Sequence, residues 1–114
     1  PLAWQGWQDH LVKRSTEHYW HANIKENLVL QRTAAVTYLE SMSMRHAGGT
    51  ARALCNAADV YRQQLVVIEH MPTGWEVSRP GVEQSELYGR IGEAAALDRE
   101  ALGYLETAVS RMRG

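Results

Sequence analysis

Between Ala51 and Met71 the residues Ala51, Leu54, Ala58, Tyr61, Leu65 and Ile68 recur at steps of 3, 4, 3, 4 and 3. An α-helix brings a side chain back to the same face about every 3.6 residues, so the stretch is expected to be helical and not a strand. Neighbouring segments follow the same rule. Ile24, Leu28, Ala35, Leu39 and Met42 mark one face of a helix expected from Ile24 to Ala47, which Gly48-Gly49 is expected to stop. Arg45 and His46 fall in its last turn, where positive charge suits the dipole, and Thr50 is placed to cap the next helix. Pro72-Thr73-Gly74 ends that helix, and Trp75 to Pro80 reads as an irregular connection. A last helix, from Val82 to Met112, carries Leu87, Ile91, Ala94, Ala101, Leu105, Val109 and Met112 on one face, with Glu83 and Glu86 in its first turn. The opening segment, with Trp4, Trp7 and Leu11 on one side, reads as a shorter helix ending near Ser15-Thr16. A second boundary then runs from Thr16 to Asn23.

Pro1, Pro72 and Pro80 all stand outside these periodic stretches, and no repeat or linker divides the chain. The fold class expected is therefore all-α: one domain over residues 1–114, an up-and-down bundle of three long helices plus a shorter N-terminal one. A 12.9 kDa chain buries roughly two-thirds of its unfolded surface, so one core forms without disulfides, and Cys55 is the single cysteine. With 12 Lys+Arg against 13 Asp+Glu, the balanced charge excludes the broad positive field of non-specific nucleic-acid binding, although a local basic patch survives this test. The longest apolar run, Leu65 to Ile68, is too short to span a membrane or to form a signal-peptide core. A cytoplasmic chain without nucleic-acid or membrane partners is the expectation. Because it starts at Pro1 and not at Met, it is also expected to be excised from, or associated with, a larger protein.

Polar residues that interrupt apolar faces are the candidates for function. On a helical wheel Asp98 falls within about 40° of Leu87, Ile91, Leu105 and Val109, inside the stripe. A carboxylate there needs a partner, since an unpaired buried charge costs several kcal/mol. Gln31 projects within about 20° of Ile24 and Met42, Arg32 lies at the edge of the same stripe, and Arg62 and Glu69 flank the next helix. A polar seam follows, with Asp98 satisfied by Arg32, Arg62, Gln31 or a tyrosine hydroxyl such as that of Tyr61. In a functional version, Asp98 anchors a ligand in a Trp- and Tyr-lined pocket; in a structural version, the seam fixes helix register.

Other chemistry has little support. No Glu has a His three residues on, as a di-iron bundle requires, and the Glu17, His18, His21 group reads as a surface cluster. Cys55 reads as a small buried thiol. Gly48-Gly49-Thr50 lacks the lysine and the spacing of a phosphate loop. No metal, cofactor or catalytic residue is expected. Gly89, Gly92 and Gly103 leave a smooth strip on which another element lies closely. Val60, Val67 and Met71 fall opposite the main stripe of their helix, which makes that helix either central in the bundle or covered by a partner. With Trp4 and Trp7 they form the expected interface, toward a second copy or an adjoining domain.

The run Arg32-Thr-Ala-Ala-Val-Thr-Tyr-Leu-Glu, the segment Ala57-Ala58-Asp-Val-Tyr61, the turn from Pro72 to Trp75 and the closing Ala94-Ala-Ala-Leu-Asp98-Arg-Glu-Ala-Leu resemble the helical C-terminal region of bacterial proteins related to butirosin biosynthesis protein H. In that family a papain-like catalytic domain precedes the helices. The resemblance implies a helical accessory domain, with Arg32 and Asp98 as its inward polar positions and no catalytic Cys or His on this chain. Three functions are therefore expected in order: an accessory or binding domain that packs against itself or another domain; a small-molecule-binding domain anchored by Asp98; and a small enzyme in which Asp98, Arg62 and Glu69 face one cavity.

Overall fold

A computed structural model describes residues 2–13, 18–72 and 82–113, with side chains for 4–9, 23–72 and 85–113. The described residues form helices α1 (Leu2–Lys13), α2 (His18–Ser43), α3 (Gly48–Glu69) and α4 (Val82–Arg113), and no strand. The all-α class expected from the periodicity is what the chain adopts. Trp75 to Pro80, and the start of the boundary expected at Thr16, lie outside the described residues.

Two boundaries differ from expectation. α2 begins at His18, so most of the segment read as a boundary before Asn23 is already helical. Gly48-Gly49 opens α3 instead of stopping α2, which ends at Ser43 and unwinds through Arg45 N–H to the Met42 carbonyl at 3.0 Å and His46 N–H to the Ser43 carbonyl at 3.4 Å. Gly48 has φ +62°, a left-handed conformation that lets the chain reverse before α3 and that a Cβ would strain. Ala47 is the extended N-cap residue and makes no side-chain cap; Thr50 lies inside the first turn. The C-terminus of α3 borrows a donor from elsewhere. Lys25 Nζ of α2 donates to the Glu69 and Met71 carbonyls, each at 3.0 Å, satisfying groups that a helix end leaves unpaired.

α3 is the central helix. It packs along both α2 and α4, α1 rests on α4, and α2 and α4 make no close backbone contact. A second stripe explains this: Ala53, Ala57, Val60, Gln64, Ile68 and Met71 follow one another at steps of 4, 3, 4, 4 and 3. Of the two possibilities for a helix apolar on two sides, the chain realises the first. Val60 and Met71 are buried at 3% and 2% exposure and Val67 packs against the core, so these three form no free outer face. Trp4 and Trp7 are likewise core residues, stacked at 6.3 Å between ring centroids.

The core has two parts. Around α1, Trp4 and Trp7 pack with Ile68, Met71, Leu87, Ile91, Ala94 and Ala95. Toward the opposite end, Leu39 and Leu54 meet Ala53, Ala57, Ala58 and Ala108, whose small side chains allow α3 and α4 to approach closely. α1 covers the first part alone. Val109 and Met112, expected on the core face of α4, are each 44% exposed, because among the described residues α3 covers that half of α4 through Ala108 and Leu105 and no second helix lies beside them.

Candidate functional site

Polar groups from all four helices meet at Asp98. Its Oδ1 accepts from Arg32 Nη2 at 3.2 Å and from Gln64 Nε2 at 3.2 Å, and its Oδ2 accepts from Trp4 Nε1 at 3.3 Å. Gln64, fully buried, also donates to the Ala94 carbonyl at 2.8 Å and accepts from Arg32 Nε at 2.8 Å. All three polar positions of this amide are thereby used, which fixes its orientation. The Arg32 guanidinium lies 5.8 Å from the Trp4 ring centroid and 5.7 Å from that of Tyr61, so aromatic faces screen the ion pair from water. Burial pushes the Tyr61 phenol above its usual value of 10.0; the Asp98 carboxylate adds to the shift and Arg32 opposes it.

The seam therefore exists with a different membership. Asp98 and Arg32 form an ion pair, and Tyr61 joins them through its ring against Arg32, not through its hydroxyl on Asp98. Gln31 is not among them: it is exposed, although Ile24, Leu28, Leu39 and Met42 of the same line pack against the core, because the buried face of α2 is centred toward Arg32 and Val36 and leaves Gln31 at its outer edge. Arg62 pairs instead with Glu40 and Asp59 on the outer surface. Glu69 is exposed and contributes only its backbone carbonyl, to Lys25. The residue that the sequence reading missed is Gln64, although its spacing of four from both Val60 and Ile68 marks it as part of the second stripe.

Cys55 is exposed, contrary to expectation. The side chains of Glu17, His18 and His21 lie outside the described ones, and among the described residues no group of three His, Cys, Asp or Glu is placed to hold a metal. Of the glycine strip, Gly92 faces the Gln8 amide of α1, whose Nε2 also donates to the Tyr88 carbonyl at 2.9 Å. Between these helices is a cleft of about 340 Å³, lined by Trp4, Gln5, Tyr88 and Arg99 among others, and Asp98 is not part of its wall. Among the described residues no helix is long and apolar enough to cross a membrane.

The Asp98 carboxylate is thus occupied by three donors from its own chain. Chemically the cluster ties α1 through Trp4, α2 through Arg32 and α3 through Gln64 to one point on α4. No protein-family model matches the chain, and neither a curated protein nor a solved structure gives a significant match.

Proposed function

We propose that the chain is a helical association module, an up-and-down bundle that pairs with a second copy of itself through the C-terminal half of α4. The observation that carries this reading is the continuation of the seat of α1 along α4. Past Asp98, where Trp4 sits, the same face presents Leu102, Leu105, Val109 and Met112, of which Leu102 is 50% and Val109 and Met112 are each 44% exposed. These four residues are spaced 3, 4 and 3, a pattern that reads the same in both directions and so suits the antiparallel, two-fold pairing of identical helices. Glu106 and Arg113 flank the strip on one edge. Side chains lean toward the N-terminus of their own helix, so antiparallel pairing carries Glu106 toward Arg113 of the second copy. Within a longer protein the same surface serves the accessory role that the resemblance noted above implies.

Light scattering across a concentration series tests the reading. Concentration-dependent dimers are expected, with Leu102→Ser and Val109→Ser together abolishing them at an unchanged melting temperature. The swaps Glu106→Arg and Arg113→Glu are expected to weaken the dimer singly and restore it together. A monomer at every concentration sinks the pairing, and a large fall in melting temperature shows the strip to be core.

A further inference from the structure

Among the described residues, one end of the bundle gathers arginines that no carboxylate pairs. The turn after α2, the start of α3 and the end of α4 meet there, as the Arg111 guanidinium lying against Gly49 shows. Residues 41–53 and 107–113 contribute Arg45, Arg52, Arg111 and Arg113, together with His46, and contain no Asp or Glu. Elsewhere Arg32, Arg62 and Arg90 each lie beside a carboxylate. Among the described residues none of the four at this end forms an ion pair or side-chain hydrogen bond. In a chain of net charge −1 this is a marked segregation.

Helix dipoles account for part of it, since Arg111 and Arg113 lie in the last turn of α4. They do not account for Arg52, early in α3, or for the Arg111 guanidinium at Gly49. Both put positive charge near the positive end of α3, whose first turn carries no acid. Local electrostatics broken without internal compensation point to an anion supplied from outside. The apolar residues choose among anions. Met44 stands out of the same end at 87% exposure, and no exposed aromatic ring of residues 41–53 or 107–113 is placed to stack on a base. Cations around a protruding apolar tip suit a lipid headgroup layer, where the arginines meet phosphates and Met44 enters the acyl boundary.

We propose that this end of the bundle docks on an anionic lipid surface, with Arg45, Arg52 and Arg111 contacting headgroup phosphates and Met44 inserting between them. The expectation of no membrane partner rested on the lack of a spanning segment, and headgroup contact requires none. Co-sedimentation of the full chain with vesicles of phosphatidylcholine, with and without phosphatidylserine, tests the proposal. Binding is expected to the mixed vesicles alone and to weaken with salt. Each arginine removed should lower partitioning about five-fold, so Arg52→Ser with Arg111→Ser lowers it roughly twenty-five-fold at unchanged helicity. Met44→Ser weakens binding without changing its salt dependence. Equal binding to pure phosphatidylcholine, no binding to either vesicle, or undiminished binding of the double variant overturns the proposal. So does displacement from vesicles by duplex DNA at matched phosphate concentration, which would make nucleic acid the partner.

Discussion

Arg32 and Asp98 meet at 3.2 Å although the helices that carry them, α2 and α4, make no close backbone contact. The pair spans the helix between them. A long, planar side chain makes this possible, because Arg32 passes over α3 with its Nε on Gln64, its Nη2 on Asp98 and its faces toward Trp4 and Tyr61. The ion pair retains 19% and 23% side-chain exposure, so its worth lies less in net Coulomb energy than in specifying how α2 and α4 sit around α3.

Gln64 is the part of this arrangement most exposed to test. Gln64→Leu keeps the volume but removes the acceptor for Arg32 Nε and the donors to the Ala94 carbonyl and Asp98, all in a fully buried place. A loss of about 1–3 kcal/mol is expected in denaturant unfolding, the usual cost of orphaned buried polar groups. Replacing the whole set, Arg32→Met with Asp98→Leu and Gln64→Leu, should recover most of that loss. If Gln64→Leu alone is neutral, the network does not hold the helices together.

Tyr61 predicts an alkaline signature. With its folded-state value raised above 10.0 by burial and by Asp98, the unfolded chain releases the phenolic proton first. Its contribution is complete below about pH 10 and is lost as pH rises from there through the higher folded value. Tyr61→Phe should therefore leave neutral-pH stability nearly unchanged and flatten the decline above pH 10. It should also remove one tyrosine from the late part of an ultraviolet titration. An identical alkaline slope in the variant would contradict this.

Much of this architecture is legible in the residues, and what is not has identifiable causes. The periodicity of 3 and 4 gives the helical class, and the placement of Asp98 within the α4 stripe predicts an inward carboxylate with Arg32 as a partner. Reading α3 through its strongest stripe alone hid the second one, and with it Gln64, since a single glutamine among Ala57, Val60, Ile68 and Met71 carries no sign of its partners on other helices. The same reading turned the buried Val60 and Met71 into a presumed outer face. Gly48-Gly49 misled for a local reason: a glycine pair breaks a helix equally well by ending one or by beginning the next, and what tells them apart is that α2 has already ended at Ser43 and Ala47 takes the extended N-cap conformation.

Glycines supply a paired prediction with opposite signs. Gly48→Ala puts a Cβ on left-handed backbone and should cost about 1–2 kcal/mol even though nothing lies within 4 Å of it. Gly89 and Gly103 are interior to α4 and also face open space. Alanine at either should stabilise by about 0.5–1 kcal/mol, through lower backbone entropy in the unfolded chain. Thermal melts of the three single variants decide it, and a stabilising Gly48→Ala would refute the left-handed turn.

Lys25 joins α2 to the end of α3 by a different device, an ammonium shared between two backbone carbonyls that have no helical partner. Lys25→Met keeps the aliphatic stem and removes the donors. The expected loss is about 1 kcal/mol, the ordinary worth of a hydrogen bond to a charged group at a partly exposed helix end. Its location is more diagnostic than its size. Amide exchange should quicken over the last turn of α3, near Ile68 and Glu69, and stay unchanged around Leu54 and Ala57 in the other half of the core. A uniform increase along α3 would mean that Lys25 supports the whole bundle, and no increase would mean that Pro72 and the packing of Met71 end the helix without it.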